Sequence, residues 1–273
     1  MEGIDLAQLP QMMLSDRLLA RRIQRSIWLN DVLIPVEGAD YALGRYVDHL
    51  VELTDDEVFR LSLASSTTLV EYNGRYLALC TRHQLKGRKL EEIGLIIKNG
   101  QNVITSGGQT HFPEGNISDA LDLAAFDFTA PCMAGVIEKR RFFPLREAPP
   151  ICPADAIAFV ICAGFPYDAQ RYELDESHIG STKMLAVCEP ESDSHDPALL
   201  KLKPVEPLPV KPDGMSGGSA FACIIVGNEA SAFFAGIITR ASQQAVHIVK
   251  AGFVLEFLDM IERVKTGKNG NAL

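Results

Sequence analysis

The stretch Pro212–Ala220 reads Pro-Asp-Gly-Met-Ser-Gly-Gly-Ser-Ala and places the hydroxyl of Ser216 inside a run of small residues. Glycines remove the Cβ atoms that would block a substrate carbonyl, and they let backbone N–H groups converge on one point. We therefore take Ser216 as a candidate nucleophile, and the amides of Gly214 and Ser216 as candidate donors to an oxyanion. The same composition is also typical of a flexible turn between strands, and the motif alone does not separate the two interpretations.

A serine nucleophile needs a base, and the base needs a carboxylate that orients it. The apolar run that precedes His83 predicts a buried strand, with His83 just past its end, where a side chain can reach a cleft. A second apolar run follows Asp122, so this carboxylate is expected to be buried and to need a partner. His83, Asp122 and Ser216 are thus the candidate base, orienting acid and nucleophile, in that order along the chain. Asp119 and Asp127 compete with Asp122 for the second role.

Five blocks of the sequence resemble, in order, those of trypsin/chymotrypsin-like serine peptidases, and in particular of bacterial members. The blocks are Thr81-Arg82-His83, Asp122-Leu123-Ala124, the segment 158–166, Gly214-Met215-Ser216-Gly217-Gly218 and Ala235-Gly236-Ile237-Ile238-Thr239. The Asp-Leu-Ala match favours Asp122 as the acid. The resemblance implies an all-β fold of two six-stranded antiparallel Greek-key barrels, a chymotrypsin-like double β-barrel with the active site between the barrels. It also implies a serine endopeptidase that forms a covalent acyl-enzyme and requires no cofactor or metal.

The resemblance carries further expectations about specificity and activation. It implies that the pocket for the residue before the scissile bond draws on Val210, Thr239, Arg240 and Ala241. Because Val210 stands where an aspartate would select basic residues, we expect no preference for Arg or Lys. Arg240 either attracts an acidic substrate residue or faces solvent. Met215 stands where digestive members carry an acid that pairs with a freed N-terminal amine, so activation by N-terminal clipping is not expected.

The motif Gly214–Gly218 also satisfies the G-x-S-x-G pattern of α/β-hydrolases. That fold requires an acid and then a histidine after the serine, and a helix directly after the motif. Downstream of Ser216, the only histidine is His247, preceded by a single acid, Glu229, and the run 220–226 is rich in apolar residues typical of a strand. The sequence therefore excludes the α/β-hydrolase interpretation.

Changes in composition and in the spacing of apolar residues divide the chain into four parts. They are an N-terminal extension of a helix plus a connector (1–61), a first β-barrel with His83 and Asp122 (62–148), a second β-barrel with Ser216 (149–252), and a C-terminal helix and tail (253–273). Asn73-Gly74 between two apolar runs predicts a β-hairpin, and the prolines of 143–150 predict a linker.

Three further segments have specific expectations. Apolar residues at helical spacing up to Trp28 predict a helix over residues 1 to about 30, which either packs on the barrel or docks a regulatory partner. The Pro- and charge-rich segment 189–213 predicts a surface loop that gates the cleft or is inert. Apolar residues at 254, 257, 258 and 261 have helical spacing and predict the C-terminal helix.

Composition limits the class of partner and the compartment. A net charge of −9 disfavours nucleic acid and anionic membranes, so a protein or peptide substrate is the expected partner. No early apolar segment is typical of a signal peptide and no run has the length of a membrane span, so we expect a cytoplasmic protein. The six cysteines are expected to be reduced thiols, most of them in the core: Cys80, Cys132, Cys152, Cys162, Cys188 and Cys223.

Two alternatives to a general endopeptidase stay open at this point. The first is a catalytically silent, trypsin-like pseudo-protease that acts as a peptide- or protein-binding module. The second is a regulated processing protease that cuts a single partner. Three separate blocks with the residues of a triad favour an enzyme over the binding module, because a binding role gives no reason to keep all three.

Overall fold

The computed structural model of the protein describes residues 23, 25–57, 60–97, 102–111, 122–146, 154–173, 178–191, 196–227 and 229–265. Most of these residues lie in β-strands. In chain order the strands are β1 (Ser26–Leu29), β2 (Val32–Pro35), β3 (Val47–Leu53), β4 (Leu61–Tyr72), β5 (Arg75–Thr81), β6 (Ile93–Ile97), β7 (Asn102–Thr105), β8 (Gln109–His111), β9 (Leu123–Asp127), β10 (Phe143–Pro144), β11 (Ile157–Gly164), β12 (Gln170–Glu173), β13 (His178–Ser181), β14 (Met184–Pro190), β15 (Leu199–Pro204), β16 (Ser219–Val226), β17 (Glu229–Ala241) and β18 (Val246–Lys250).

The C-terminal part of the chain forms a closed antiparallel barrel of six strands. Its order is β16-β11-β14-β15-β18-β17, and the pairing of β16 with β17 closes the ring. The prediction of a surface loop over 189–213 is wrong for β15, because its buried leucines pair it into the barrel between β14 and β18. Along β11 and β16 the side chains alternate between two cores: Val160, Cys162 and Ala220 face the inside of the barrel, and Ile161 and Phe221 face outward. The outward face is also buried, so these strands read as continuous apolar runs rather than as alternating ones.

The N-terminal part forms a second, curled sheet, which we call the half-barrel. Its order is β7-β6-β3-β4-β5-β9-β8, and β10 adds a short parallel pairing to β4. This curled sheet is consistent with the expected double barrel, although no pairing between its ends closes it within the residues that the structure describes.

The hairpin predicted at Asn73-Gly74 is confirmed. It joins β4 to β5 with Tyr72 opposite Arg75. Asn73 has φ 50 and Gly74 has φ 78, the two positive values that a type I′ turn requires. The turn sets the register of β5, and β5 carries the chain directly to His83.

Residues 25–57 differ from the predicted helix and connector. Residues 1–22 and 24 lie outside the described residues, but Ser26–Leu29 is a strand and not the end of a helix. β1 pairs in parallel with β17 and forms a hairpin with β2, so contacts distant in sequence override the local helical spacing. β3 is a full member of the half-barrel, which therefore begins before residue 62.

Three α-helices complete the described structure: α1 (Ala39–Gly44), α2 (Thr129–Met133) and α3 (Ala251–Lys265). The apolar stripe of α3, formed by Val254, Phe257, Leu258 and Ile261, is buried. It packs into the same core as the outward faces of both sheets. The described helices include none that is long and apolar enough to cross a membrane.

The half-barrel and the closed barrel share one core. Leu77 and Leu79 of β5 pack into it from one side, and Phe221 and Phe234 pack into it from the other. The rings of Phe143 and Phe221 meet edge to face with centroids 5.1 Å apart, a geometry worth about 1 kcal/mol beyond its buried area. This packing sets the end of β5 against the loop before β16, where the candidate site lies.

Candidate active site

The end of β5 and the start of β9 bring His83 and Asp122 together. In the antiparallel pair, Thr81 lies opposite Leu123. The next residue on each strand continues the contact, because the amide of Arg82 donates to the backbone carbonyl of Asp122 at 3.0 Å. β5 then turns into a 3₁₀ helix, Arg82–Leu85, which carries His83. The relation of base and acid is thus set by strand register.

The Asp122 carboxylate uses both of its oxygens on His83. Oδ2 lies 2.5 Å from the ring Nδ1, and Oδ1 accepts the backbone N–H of His83 at 2.9 Å. An ionised carboxylate only accepts, so in a neutral imidazole this contact places the proton on Nδ1 and makes Nε2 the acceptor. The carboxylate is 18% exposed and the imidazole 50% exposed. The predicted base and orienting acid are therefore in contact, in the tautomer that a general base needs. The competing Asp119 lies outside the described residues.

Asp127, the other competing carboxylate, lies elsewhere. Its Oδ2 pairs with Arg75 at 2.8 Å and its Oδ1 accepts from the Thr129 hydroxyl at 2.6 Å. Arg75 also pairs with Glu262 of α3 at 2.9 Å. Asp127 thus belongs to a set of ion pairs that joins the half-barrel to the C-terminal helix.

Cys80 lies on β5, three residues before His83, and is fully buried. Burial raises the pKa of its thiol far above the ordinary value, and the negative charge of Asp122 raises it further. A protonated thiol is a poor nucleophile, so Cys80 does not compete with a serine for this chemistry. Cys132, Cys162, Cys188 and Cys223 are also free and buried, as expected, and Cys152 lies outside the described residues.

Ser216 lies in a tight loop between β15 and β16. The loop is closed by two backbone bonds of 2.9 Å, from Met215 N–H to the Pro212 carbonyl and from Gly218 N–H to the Met215 carbonyl. Gly214 and Gly217 have φ +98 and +88, which residues with a Cβ rarely adopt. Both glycines are therefore required for the path of the backbone. We call residues 213–218 the nucleophile loop.

The position before Ser216 is filled by an apolar anchor. Met215 is completely buried in the core of the closed barrel. Its Cα and Cβ lie 3.0 Å from the point where Gly164 would carry a Cβ, so the loop is seated directly on β11. The side chain holds the loop by packing and not by an ion pair.

The hydroxyl of Ser216 donates to the backbone carbonyl of Thr239 at 2.8 Å. The described atoms include no hydrogen bond between Ser216 and His83. The expected contact of nucleophile and base is therefore not made in this conformation, although the loop lies beside β5: a Cβ on Gly217 would be 3.2 Å from the Cα of Cys80. Ser216 is 9% exposed.

The two candidate oxyanion donors have no partner among the described residues. The N–H groups of Gly214 and Ser216 form no hydrogen bond with any part of the chain that the structure describes, whereas the other loop amides, at Met215, Gly217 and Gly218, are all bonded. The residue between them, Met215, bonds its own N–H to the Pro212 carbonyl. A developing negative charge on a substrate carbonyl needs two such N–H donors beside the serine hydroxyl.

The predicted specificity residues lie at the end of β17 and in the segment before the nucleophile loop. Thr239 is buried and its carbonyl contacts Ser216, while Arg240 is exposed. Ala241 and Val210 are half-buried and pack against the same core, that of the closed barrel. The segment of Val210 is held near β17 by a 3.3 Å bond from Leu208 N–H to the Gln243 carbonyl.

His49, one of the histidines that the sequence leaves without a role, is packed beside the site. Its ring centroid is 3.7 Å from that of Phe165. Burial lowers the pKa of His49 to about 4, with Asp48 opposing this and Lys183 adding to it. Phe165 in turn contacts the nucleophile loop, because a Cβ on Gly214 would lie 2.8 Å from its carbonyl oxygen. His49 is therefore neutral at pH 7 and acts as a packing group.

Sequence reasoning missed the hydroxyls of β4. The run Ser65-Ser66-Thr67-Thr68 is buried, and the side chains of Ser66 and Thr68 bond to carbonyls of the nucleophile loop. Four consecutive hydroxyl residues inside an otherwise apolar strand are the signal that could have found them, because buried hydroxyls need partners.

The described residues contain no cluster of three or more His, Cys, Asp or Glu side chains that could hold a metal ion. Comparison with known proteins gives no further assignment: no protein-family model matches the chain, and no curated protein is similar to it.

Proposed function

We propose that this protein is a serine endopeptidase of the trypsin/chymotrypsin-like kind, with His83, Asp122 and Ser216 as its catalytic triad. The observation that carries the proposal is the contact between His83 and Asp122, in which both carboxylate oxygens hold the histidine and Nε2 takes no part. The unpaired N–H groups of Gly214 and Ser216 support it independently, since a flexible turn gives no reason for two amides to stay free.

In the proposed mechanism, Ser216 first exchanges its hydrogen bond with the Thr239 carbonyl for one with Nε2 of His83. His83 takes the hydroxyl proton as Oγ attacks the substrate carbonyl carbon, and Asp122 stabilises the imidazolium that forms. The Gly214 and Ser216 amides bind the oxyanion. His83 then gives its proton to the leaving amine, and water, activated by the same imidazole, hydrolyses the acyl-enzyme.

The fold supports the same assignment. A closed six-stranded antiparallel barrel and a curled half-barrel contribute the nucleophile and the base with its acid, respectively. In the closed barrel, the first three strands along the chain (β11, β14, β15) are neighbours, and the last three return in reverse order (β18, β17, β16). This order is compatible with the Greek-key connection that we propose for a double barrel. The substrates in this proposal are proteins or peptides.

Covalent labelling with a fluorophosphonate probe tests the proposal, because this reagent reacts with a serine that a base activates. We expect folded protein to be labelled at Ser216, and both Ser216→Ala and His83→Ala to abolish the labelling. Labelling that survives His83→Ala would contradict the assigned base. Absence of labelling in folded protein would contradict the endopeptidase itself.

The second candidate is a pseudo-protease that binds peptides without turnover. One observation favours it: the Ser216 hydroxyl is bonded to the Thr239 carbonyl and not to His83. A binding module of this kind would remain unlabelled by the probe and would still bind extended peptides, with affinity unchanged by Ser216→Ala. Loss of the probe reaction together with retained peptide binding would decide for it.

A further inference from the structure

One hydroxyl of the half-barrel joins two loops of the closed barrel. Ser66 lies on β4 and is completely buried. Its Oγ donates to the Gly214 carbonyl at 2.7 Å and accepts the Phe165 N–H at 2.8 Å. Its backbone N–H also donates to the Gly214 carbonyl, at 3.3 Å. Ser66 is therefore the direct link between the nucleophile loop and the loop that follows β11.

Thr68, two residues further along β4, makes a second link. Its Oγ1 donates to the Gly217 carbonyl at 2.9 Å, and the residue is completely buried. Side chains two apart in a strand point to the same face. Ser66 and Thr68 thus present two hydroxyls to the two ends of the segment that contains Ser216. Between them, the Ser66 carbonyl lies so close to Gly217 that a Cβ there would be 2.1 Å from its oxygen.

The loop after β11 transmits this link to an oxyanion donor. Tyr167 N–H donates to the Asp213 carbonyl at 2.7 Å, and the Tyr167 hydroxyl donates to the Ala64 carbonyl of β4 at 3.0 Å. A peptide unit is planar and trans, so a held Asp213 carbonyl sets the opposite direction of the Gly214 N–H. Phe165, bonded to Ser66, lies only two residues before Tyr167. β4 therefore holds both the nucleophile loop and the loop after β11. The loop after β11 in turn sets the direction of the Gly214 N–H.

We propose that Ser66 and Thr68 are positioning residues, which hold the nucleophile loop so that the Gly214 and Ser216 amides can bind the oxyanion. This inference rests on the proposed endopeptidase function. The oxyanion site then depends on both sheets, because the closed barrel carries the loop and the half-barrel fixes the conformation of that loop. Loss of the Ser66 hydroxyl would leave the Phe165 N–H without a partner, and the Gly214 carbonyl with only the 3.3 Å bond from the Ser66 backbone N–H. The loop would then turn to satisfy these groups.

Thr67 offers a matched control. It lies between the two positioning residues and is equally buried, but its hydroxyl donates at 2.9 Å to the Leu79 carbonyl of β5, inside the half-barrel. Thr67→Val therefore removes a buried hydroxyl bond of the same kind without touching the nucleophile loop. Ser66→Ala and Thr68→Val remove the bonds that do.

The first measurement is the saturation kinetics of fluorophosphonate labelling, with folding followed by urea denaturation. One oxyanion donor is worth about 10²–10³-fold in rate. We expect Ser66→Ala and Thr68→Val to lower the maximal labelling rate at least about tenfold, because a displaced loop loses part of the contribution of one donor. The half-saturating probe concentration should stay unchanged. Thr67→Val is expected to keep the wild-type rate at a similar loss of stability. Equal rates in all three folded variants would overturn the inference.

The second measurement separates failure of this inference from failure of the proposed function. If the wild-type protein does not react with the probe, the endopeptidase proposal fails, and hydrogen–deuterium exchange still tests the links. We expect amides of residues 213–218 to exchange faster in Ser66→Ala and Thr68→Val than in Thr67→Val. Unchanged exchange in this segment in both variants would show that the hydroxyls do not hold the loop.

Discussion

Gly217→Ala is the sharpest perturbation of the contact between the two sheets. Gly217 follows Ser216 and has φ +88. A Cβ at this position would lie 2.1 Å from the Ser66 carbonyl oxygen, well inside the 3.0 Å below which such contacts essentially do not occur. The obstacle is the backbone of β4, which pairs with β3 at Ser66, opposite His49, and with β5 from Thr68 onward, so it cannot swing away as a side chain could.

The expected cost has three parts. A residue with a Cβ at positive φ loses about 1–2 kcal/mol. Forcing a methyl group into a filled site adds about 1–3 kcal/mol. If the loop moves away instead, the Gly217 carbonyl leaves the Thr68 hydroxyl, and a buried unpaired acceptor costs about 1–3 kcal/mol. The second and third costs are alternatives, so we expect the free energy of unfolding to fall by about 2–5 kcal/mol, and the displaced Ser216 to lose its reaction with the probe.

Gly135→Ala is the control for backbone strain alone. Gly135 has φ +73, is exposed, and a Cβ there would meet no atom within 4 Å. This variant should cost only the strain, about 1–2 kcal/mol, and should react normally. Urea unfolding followed by circular dichroism and by the fluorescence of the single tryptophan, Trp28, measures both variants. If Gly217→Ala costs no more than Gly135→Ala and still reacts, the nucleophile loop does not lie against β4 and the reasoning fails.

Three further predictions concern other groups. Asp122→Asn should leave the fold intact and lower kcat by about 10⁴-fold, because an amide favours the wrong tautomer of His83; hydrolysis of a peptide substrate measures it, and a loss below tenfold would contradict the triad. Because burial lowers the pKa of His49 to about 4 from 6.5, the unfolded chain binds this proton first as pH falls. The free energy of unfolding should therefore decrease from pH 6.5 towards 4, by at most about 1.4 kcal/mol per pH unit. Urea unfolding of His49→Gln should show a shallower decrease over this range, and a decrease equal to that of the wild type would contradict the prediction. Arg75→Met should reduce the free energy of unfolding by about 2–3 kcal/mol, because two part-buried carboxylates lose their cation; a change below about 0.5 kcal/mol in urea unfolding would show that these ion pairs are screened.

The parts of the site that the sequence predicts are those that depend on local signals. Asn73-Gly74 determines a turn type, and the turn determines the register of β5. The apolar runs before His83 and after Asp122 predict two buried strands whose ends carry the base and the acid. These strands pair directly, with Thr81 opposite Leu123, so the local prediction was sufficient.

The parts that the sequence does not predict depend on distant partners. Ile27 and Trp28 fit a helical stripe, but they lie in a strand because β17, some 200 residues later in the chain, pairs with them. The hydroxyls of Ser66 and Thr68 donate to carbonyls that lie 148 and 149 positions later in the chain. No window of sequence contains both partners, and only the docking of the two sheets brings them together.

The same docking bears on the choice between an enzyme and a binding module. His83 and Asp122 are in contact, the amides of Gly214 and Ser216 have no partner among the described residues, and the loop is seated by Met215 and β4. In the proposed mechanism, the Ser216 hydroxyl exchanges one neutral hydrogen bond for another, at a net cost of about 1 kcal/mol. Enzymes lower their barriers by about 8 kcal/mol or more, so a cost of this size leaves most of such a gain intact. The bond from Ser216 to Thr239 is therefore compatible with a resting enzyme, and it is weak support for a silent one.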